Sequence, residues 1–346
     1  MSTDILSIAT AKAGYSMSQE EIGEKMIDSL SLKGMEASKI RRIYKNSAIE
    51  KRHTVRPFNE ELFSHLHNPP KPTFLNTIYK KEAPKLAYTA ACEALKRWGG
   101  NRSEITHVIS ASCTGMYAPG LEYLLMDTLG LPRTVGRYGI NFMGCFGAFK
   151  GLGLADSIAK EDKRHRVLVV CTELCSLHVQ TQNDLEAAVS NAIFADGAAA
   201  AVVGQQKGLL EIVKKASLGV PYSQDKMSWD MGDHGFVMRL KKDVPELMGQ
   251  TIPSFVKGLA LEEKNIDWAI HPGGKAILEQ IEKGLSLSSE QTMASWNTLK
   301  NYGNMSSATF LFVLEELLRL GTKNSHCIGL AMGPGLSIEG MLFKNR

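Results

Sequence analysis

The sequence predicts an α/β protein whose sheets are covered on both faces. Short runs rich in β-branched or apolar residues alternate with helix-like segments, which is typical of layered sheets and helices. The run 167–170, VLVV, is apolar at every position, which indicates a strand buried on both faces. The predicted strands are 106–112, 166–173, 198–204, 266–271 and 326–332. The predicted helices are 18–30, 82–98, 147–160, 275–284 and 305–320.

Composition narrows the class of protein. Of the 346 residues 44% are hydrophobic, so the chain can bury a large core. The 40 basic and 36 acidic residues leave a net charge of +4, which gives no basis for general nucleic-acid binding. With neither a signal-peptide pattern nor an apolar run long enough to span a bilayer, a cytoplasmic enzyme is expected. The six scattered cysteines indicate free thiols.

The chain is predicted to divide into two halves, 1–204 and 205–346. The charged, glycine-containing stretch 204–215 is the candidate boundary. A turn of small residues enters a helix at 144–149 in the first half and again at 303–309 in the second. This repeated pattern suggests that the two halves arose by duplication.

Cys145 is the first candidate for chemistry. Gly144 and Gly147 allow a tight turn just before a predicted helix, so the sulfur would lie at a helix N-terminus. The partial positive charge there favours thiolate and lowers a cysteine pKa from its usual value of about 8.5. The alternative is a buried structural cysteine, since free cysteines are among the most buried residues.

Two further candidates lie in the second half. His271 stands where the buried run 266–270 breaks into a glycine-containing loop, and its alternative role is structural. Asn304 precedes a long apolar helix and alternatively caps it. The segment 333–335, Gly-Pro-Gly, forms a rigid turn that lets backbone approach a ligand. Nucleotide-binding loops, CxxC pairs and the Gly-x-Ser-x-Gly motif are absent, and no metal site is expected.

Four segments in this order, GCFGAFKGL, WAIHPGGKAI, YGNMSSATFLFVL and GPGL, resemble the chalcone and stilbene synthases, the type III polyketide synthase family. The resemblance covers nearly the whole chain. It implies a thiolase-like fold of αβαβα layers with two pseudo-duplicated halves. It also implies a homodimer that uses malonyl-CoA and an acyl-CoA starter as substrates, without a resident cofactor.

The family's catalytic triad corresponds to Cys145, His271 and Asn304. The resemblance implies that Cys145 carries the starter acyl group and that His271 stabilises its thiolate. His271 and Asn304 would then stabilise the enolate formed when malonyl-CoA loses carbon dioxide. Repeated condensation and cyclisation would give a resorcinol, pyrone or naphthol type of product.

The resemblance also assigns coenzyme A contacts. Lys39 and Arg42 match positions that bind its phosphates, and on a helix they share a face. A third family lysine is replaced by Asn46, for which Lys45 or Arg41 would substitute.

Gating and cavity positions follow from the same resemblance. Phe194 matches an aromatic between the coenzyme A tunnel and the reaction chamber, and Met238 replaces a second aromatic, with Phe236 nearby as a substitute. Threonines of plant enzymes are replaced by cysteines at two cavity positions and a glycine by tryptophan at another, which indicates a reshaped chamber. The further cavity and loop positions are Cys113, Cys175, His178, Ser190, Trp229, Gly273, Ser306, Gly333, Pro334 and Gly335.

Two other functions remain open at this stage. A β-ketoacyl-carrier-protein synthase III shares the thiolase fold and a Cys-His-Asn triad but condenses only once. A catalytically silent protein of this fold would bind acyl-CoA without turnover. Ala118 matches a position at which family members reach into the partner's cavity, and its side chain is too small for a large contribution.

Overall fold

The structure is a computed structural model that describes residues 2–182, 184–259 and 266–346. The strands are β1 (Asp4–Lys12), β2 (Tyr15–Ser18), β3 (Lys51–Thr54), β4 (His107–Ser112), β5 (Gly136–Asn141), β6 (Arg166–Leu174), β7 (Asp196–Gly204), β8 (Leu210–Gly219), β9 (Met227–Gly232), β10 (Gly235–Leu240), β11 (Ile266–Ile270), β12 (His326–Gly333) and β13 (Ser337–Asn345). The helices are α1 (Gln19–Ser29), α2 (Gly34–Lys45), α3 (Glu60–Ser64), α4 (Pro72–Trp98), α5 (Leu121–Thr128), α6 (Gly147–Glu161), α7 (Leu185–Ile193), α8 (Val244–Leu259), α9 (Lys275–Leu285), α10 (Met293–Tyr302) and α11 (Thr309–Leu320).

Nine strands form one mixed sheet in the order β11-β12-β13-β8-β1-β7-β6-β4-β5. In the first half, β7 is antiparallel to both β1 and β6, and β6 is parallel to β4. In the second half, β13 is antiparallel to both β8 and β12, and β12 is parallel to β11. The two halves therefore repeat one strand pattern. They meet where β1 pairs with β8.

The buried helices repeat as well. A 3-10 turn leads into α6, which precedes β6, and a second 3-10 turn leads into α11, which precedes β12. Both helices lie in one apolar cluster between the two parts of the sheet. On the outer faces, α4 and α5 cover the first half and α8 and α9 cover the second. Helix, sheet, helix, sheet and helix thus form five layers.

Strand β6 shows how the sequence specifies this layering. Val167 and Val169 contribute to the central cluster, while Leu168 and Val170 contribute to the outer one. Because successive strand residues point to opposite faces, a continuous apolar run is what a sheet buried on both sides requires.

All five predicted strands are present, with end residues shifted by at most two positions. Helix α1 begins with a capping box, in which Ser18 accepts a hydrogen bond from the backbone of Glu21. Helix α4 begins at Pro72, ten residues before the predicted start. The second part of the candidate boundary stretch 204–215 is the start of β8.

Candidate active site

Cys145 lies in a tight turn at the start of a buried helix. Residues Gly144–Phe146 form a single 3-10 turn that leads directly into α6. Gly144 has a φ of +67°, and a Cβ atom there would lie 2.6 Å from Cδ of Pro334. Only glycine combines this backbone conformation with so close an approach. The sulfur is therefore held at the N-terminus of α6, and Cys145 is 9% exposed.

The Gly-Pro-Gly segment packs directly on this turn. A Cβ atom on Gly333 would lie 2.8 Å from Cδ1 of Phe146 and 3.5 Å from the backbone nitrogen of Cys145. Gly335 has a φ of +126°, which also favours glycine. The two glycines place Pro334 against the cysteine turn.

Replacing Gly144 by alanine is expected to lower the free energy of unfolding by about 2–4 kcal/mol, because a left-handed backbone and a clash with Pro334 add together. Gly130 is the matched control, since its φ is +65° and a Cβ atom there would meet no atom within 4 Å. Gly130→Ala should lose only about 1–2 kcal/mol. Urea unfolding followed by circular dichroism measures both, and equal losses would contradict the predicted clash.

His271 follows directly after β11. Its backbone N–H donates to the carbonyl of Leu330 at 2.8 Å. The side chain is fully buried, and within the described part of the chain neither ring nitrogen has a hydrogen-bond partner. Because burial disfavours the charged ring, the pKa of His271 falls to about 3. The ring is therefore neutral near pH 7, with both nitrogens available to a ligand.

Asn304 lies close to Cys145 and bonds the loop that follows His271. Its side-chain amide donates to the carbonyl of Gly273, two residues after His271, at 3.1 Å and lies 3.8 Å from Sγ of Cys145. Its Oδ1 accepts the backbone N–H of Ser306 at 2.8 Å. Asn304 is not the N-cap of α11, a position held by Ala308, although it does bond the turn that precedes the helix. Its amide is thus fixed towards the Cys145 sulfur.

The backbone of Asn304 also positions the segment that carries Phe194. The N–H of Asn304 donates to the carbonyl of Ile193 at 2.8 Å, and its carbonyl accepts the N–H of Ala195 at 2.9 Å. The buried guanidinium of Arg52 donates to the carbonyl of Phe194 at 2.9 Å. Phe194 is therefore held beside Asn304.

The pKa of Cys145 moves opposite to the sequence prediction. Burial raises it to about 11, and hydrogen bonds with Ser306 and Asn304 offset only part of that rise. The sequence indicated that Cys145 lies at a helix N-terminus, which lowers the pKa of a thiol. It could not indicate how deeply Cys145 is buried, because burial depends on the tertiary structure. Near pH 7 the thiol therefore needs a proton acceptor, and neutral His271 is the candidate.

Cys145 opens onto an inner cavity of about 80 Å³. Most of the predicted cavity positions line it together with Cys145. They are Cys113, Cys175, His178, Ser190, Phe194, Trp229, Met238, Ser306 and Pro334. Phe236, considered as a substitute for the second aromatic gate, instead packs on the ring of His178 with centroids 4.6 Å apart. Met238 itself therefore occupies that side of the inner cavity.

Trp229 and His178 brace one wall of the inner cavity. The indole N–H of Trp229 donates to the carbonyl of Cys113 at 2.7 Å. Nε2 of His178 lies 2.8 Å from the carbonyl of Thr114, and Nδ1 lies 3.2 Å from the backbone nitrogen of Phe236. Burial lowers the pKa of His178 to about 4, so the ring is neutral, with Nε2 donating and Nδ1 accepting. Both side chains shape the wall and anchor the β9–β10 hairpin.

An outer pocket of about 790 Å³ borders the segment that carries Phe194, since Ala192 and Ile193 line the pocket. Arg42, Asn46 and Gly273, three positions considered from the sequence, also line it. Basic residues from α9 and from the loop before α8 contribute as well, and sequence reasoning missed them. These are Lys241, Lys242 and Lys275. The outer pocket therefore reaches the loop that follows His271 and has basic residues at its rim.

Two of the other basic residues considered on α2 stand apart from this pocket. Lys39 is exposed but is not among the described residues that line it. Arg41 forms a bidentate ion pair with Glu24 at 2.7 and 2.8 Å, which directs it towards α1. Asn46 itself occupies the place of the third lysine at the rim.

Residues 2–207 match the N-terminal domain of chalcone and stilbene synthases, and residues 211–345 match the C-terminal domain. The chain belongs to the chalcone and stilbene synthase family. These are the type III polyketide synthases, so the resemblance seen in the sequence is confirmed.

Relatives within the family support this membership. The chain is 36% identical over 360 residues to probable polyketide synthase 1 of Dictyostelium discoideum, a match that covers 99% of this chain and 11% of that protein. The chain thus spans about a tenth of the length of this curated relative.

Solved structures of the family share the fold. The C-terminal type III polyketide synthase domain of Steely1, a type I/III hybrid from Dictyostelium, superposes with a TM-score of 0.95 at 34% identity, covering 100% of this chain and 99% of that one. PKS-I from the brown alga Ectocarpus siliculosus gives 0.92 at 28% identity, covering 100% and 98%. The predicted thiolase-like fold is confirmed.

Glu173 bonds residues that line the inner cavity, and sequence reasoning missed it. Its fully buried carboxylate accepts hydrogen bonds from Ser307 at 2.5 Å, from Thr114 at 2.7 Å and from the backbone of Cys113 at 3.0 Å. Burial raises its pKa. Sγ of Cys113 lies 3.2 Å from Oγ of Ser306. The available signal was a charged residue ending an apolar strand, in RVLVVCTE.

The described ranges contain neither a group of metal ligands nor a membrane-spanning helix. Within residues 2–182, 184–259 and 266–346, no group of three or more His, Cys, Asp or Glu side chains is placed to hold a metal ion. No helix in these ranges is long and apolar enough to cross a membrane.

Proposed function

We propose that this chain is a type III polyketide synthase that condenses malonyl-CoA repeatedly onto an acyl-CoA starter and then cyclises the product. One observation carries the proposal. The amide of Asn304 lies 3.8 Å from the sulfur of Cys145, which lines the apolar inner cavity, and donates to the carbonyl of Gly273, which lines the outer pocket with the basic rim. Coenzyme A thioesters are then substrates, and the absence of a resident cofactor stays a prediction.

The first step loads the starter. The sulfur of Cys145 bonds to the acyl carbonyl carbon, and the thioester bond to coenzyme A breaks. His271 takes the thiol proton as the sulfur attacks and returns it to the departing coenzyme A sulfur. A buried thiol with its pKa near 11 needs this acceptor.

The second step makes the carbon nucleophile. The malonyl thioester oxygen accepts hydrogen bonds from His271 and from the fixed amide of Asn304, and these stabilise the enolate as carbon dioxide leaves. A single donor of this kind is worth about 10²–10³ in rate in other enzymes. The enolate carbon then attacks the acyl group on Cys145 and releases the sulfur. Transfer of the lengthened chain back to Cys145 starts another round.

Iteration is supported by membership of the chalcone and stilbene synthase family, the type III polyketide synthases.

The function is tested with purified protein, labelled malonyl-CoA and acyl-CoA starters from acetyl to long-chain and aromatic, with heat-denatured protein as the blank. Mass spectrometry should find products that contain two or more malonate-derived units. Products of a single extension would favour the synthase III-like alternative. Acyl-CoA binding without turnover of any starter would favour the silent binding protein.

Replacing Arg42 by alanine is expected to raise the KM for coenzyme A thioesters by about tenfold, because a charged hydrogen bond to phosphate is worth about 1.5–3 kcal/mol. Arg41→Ala is the matched control, since Arg41 is already paired with Glu24. Initial rates at varied malonyl-CoA measure both. A similar KM in the two variants would show that Arg42 does not contact the substrate.

We also propose that the protein acts as a homodimer. Strand β5 is an outermost strand of the nine-stranded sheet, and Tyr138 on it is 42% exposed. Met116, near Cys113 in sequence, and Met143 are 46% and 38% exposed. An apolar edge of this kind favours pairing with a second copy. Light scattering should give twice the mass of the chain, and a monomer would contradict this proposal.

The expected cytoplasmic location stays a prediction. It agrees with the proposed use of malonyl-CoA but is not itself part of the catalytic proposal.

A further inference from the structure

The C-terminus of α7 is bonded to the backbone of Asn304. The last carbonyls of an α-helix have no partner within the helix, so they need donors from elsewhere in the chain. In α7 the carbonyl of Ile193 accepts the backbone N–H of Asn304 at 2.8 Å. Ala195, just after the helix, donates its N–H to the carbonyl of Asn304 at 2.9 Å. Residues 193–195 therefore hold the backbone of Asn304 at both its N–H and its carbonyl.

Arg52 of β3 bonds the same helix end. Its Nη1 donates to the carbonyls of Asn191 at 2.6 Å and Phe194 at 2.9 Å. Its Nε donates to the side-chain carbonyl of Gln19 at 2.8 Å, which fixes the plane of the guanidinium. A positive charge at a helix C-terminus is favoured by the helix dipole. Arg52 is 6% exposed, so water competes little for these hydrogen bonds.

The stem of Arg52 also approaches the residue that precedes Asn304. Gly303 has a φ of +73°, and a Cβ atom there would lie 3.2 Å from Cγ of Arg52 and 2.9 Å from the carbonyl oxygen of Ile193. Glycine at this position lets the chain pass between Arg52 and the end of α7. Arg52 therefore borders the Asn304 segment at Gly303 and reaches it a second time through the carbonyl of Phe194.

We propose that Arg52 is a positioning residue for the step that forms the enolate. This inference rests on the proposed function. Arg52 holds residues 193–195 by the carbonyl of Phe194, and these residues hold the backbone of Asn304. The side-chain amide of Asn304 is thereby kept 3.8 Å from the sulfur of Cys145. Arg52 acts through Asn304 and takes no part in proton transfer or bond formation.

The two half-reactions should respond differently to a change at Arg52. Enolate formation needs the hydrogen bond from the Asn304 amide to the malonyl thioester oxygen, whereas loading of the starter depends on Cys145 and His271. A displacement of about 1 Å in a reacting group can cost about 10²-fold in rate. A misplaced Asn304 amide should therefore slow decarboxylation of malonyl-CoA and leave acylation of Cys145 nearly unchanged.

Arg52→Lys tests this difference, because lysine keeps the positive charge but not the planar fork of the guanidinium. We expect kcat for decarboxylation of malonyl-CoA, followed as release of labelled carbon dioxide, to fall at least about tenfold with little change in KM. Acylation of Cys145 by hexanoyl-CoA without malonyl-CoA, measured by intact-protein mass spectrometry, should change little. Equal losses in the two half-reactions would overturn the inference, as would unchanged decarboxylation.

Arg166→Lys is the matched control. Arg166 is 8% exposed, and its Nη1 also donates to two backbone carbonyls, those of Lys163 at 2.7 Å and His165 at 2.8 Å. It begins β6 and lies outside the described linings of the inner cavity and the outer pocket. Arg166→Lys should lose a similar amount of stability in urea unfolding but keep both half-reactions. Slow decarboxylation in this control would mean that the effect does not depend on Asn304 and would overturn the inference.

A double-mutant cycle separates positioning of Asn304 from a general structural effect. Asn304→Ala should slow decarboxylation by about 10²–10³-fold, the effect of removing one oxyanion donor. If Arg52 acts through Asn304, adding Arg52→Lys to Asn304→Ala should slow the reaction by no more than about a further threefold. Additive losses would overturn the inference. Arg52→Gln takes the place of Arg52→Lys throughout if the lysine variant does not fold by circular dichroism.

The inference and the proposed function fail in different ways. Slow decarboxylation by Asn304→Ala together with unchanged decarboxylation by Arg52→Lys would support the proposed function and overturn the role of Arg52. Products of a single extension together with the expected double-mutant cycle would overturn iterative synthesis and support the role of Arg52.

Discussion

Cys145→Ala is expected to lower condensation by at least about 10⁴-fold, the scale seen when a catalytic nucleophile is removed. Without the sulfur of Cys145, which lies beside the Asn304 amide, no acyl-enzyme forms. Decarboxylation of malonyl-CoA should continue, because His271 and Asn304 still bond the thioester oxygen. Release of labelled carbon dioxide reports this activity, and mass spectrometry reports condensation.

Cys92→Ala is the matched control for that experiment. Cys92 is a free, partly exposed thiol on α4, outside the described linings of the inner cavity and the outer pocket. It should behave as the wild type does in both assays. Condensation retained by Cys145→Ala would refute the acyl-enzyme. Loss of decarboxylation as well would mean that the sulfur also takes part in forming the enolate.

The local geometry around the triad was predictable, but its assembly was not. Glycines around Cys145 indicated a tight turn before a helix, and this turn is present. Cys145 and Asn304 are 159 positions apart, however, and they meet because the two repeated turns pack on each other. A Cβ atom on Gly147 would lie 2.9 Å from Cβ of Ser307. The positions of Gly147 and Ser307 along the sequence do not reveal this distance.

The shape of the binding site was still less accessible to sequence reasoning. The inner cavity takes side chains from α1 and α3, whose apolar positions resemble ordinary core residues in the sequence. Lys241 and Lys275 reach the outer pocket from separate elements, so no local charge run pointed to them. Glu173 was missed because a buried carboxylate bonded by hydroxyl groups depends on residues from three segments of the chain.

His271→Gln is expected to slow acylation of Cys145 at pH 7 by about 10²–10⁴-fold, the range that proton transfer commonly contributes. A thiol whose pKa is about 11 is ionised to only about 10⁻⁴ at pH 7. Burial lowers the pKa of His271, so the wild-type ring is neutral near pH 7 and takes the proton only as the sulfur–carbon bond forms, when the negative charge beside it stabilises the imidazolium. Glutamine keeps a hydrogen-bond donor but cannot take the proton.

The two proteins should therefore differ in pH dependence as well as in rate. In His271→Gln, acylation should rise about tenfold per pH unit from pH 7 to 10, because it follows ionisation of a thiol with a high pKa. In the wild type the rate should change little between pH 6 and 9, since His271 removes the proton at each turnover. Both pH profiles are measured by stopping acylation reactions at set times and determining the acylated fraction by intact-protein mass spectrometry. His67→Gln is the control, because His67 is exposed on the surface. Parallel profiles in wild type and His271→Gln would mean that His271 does not act on the thiol and serves only the malonyl thioester oxygen.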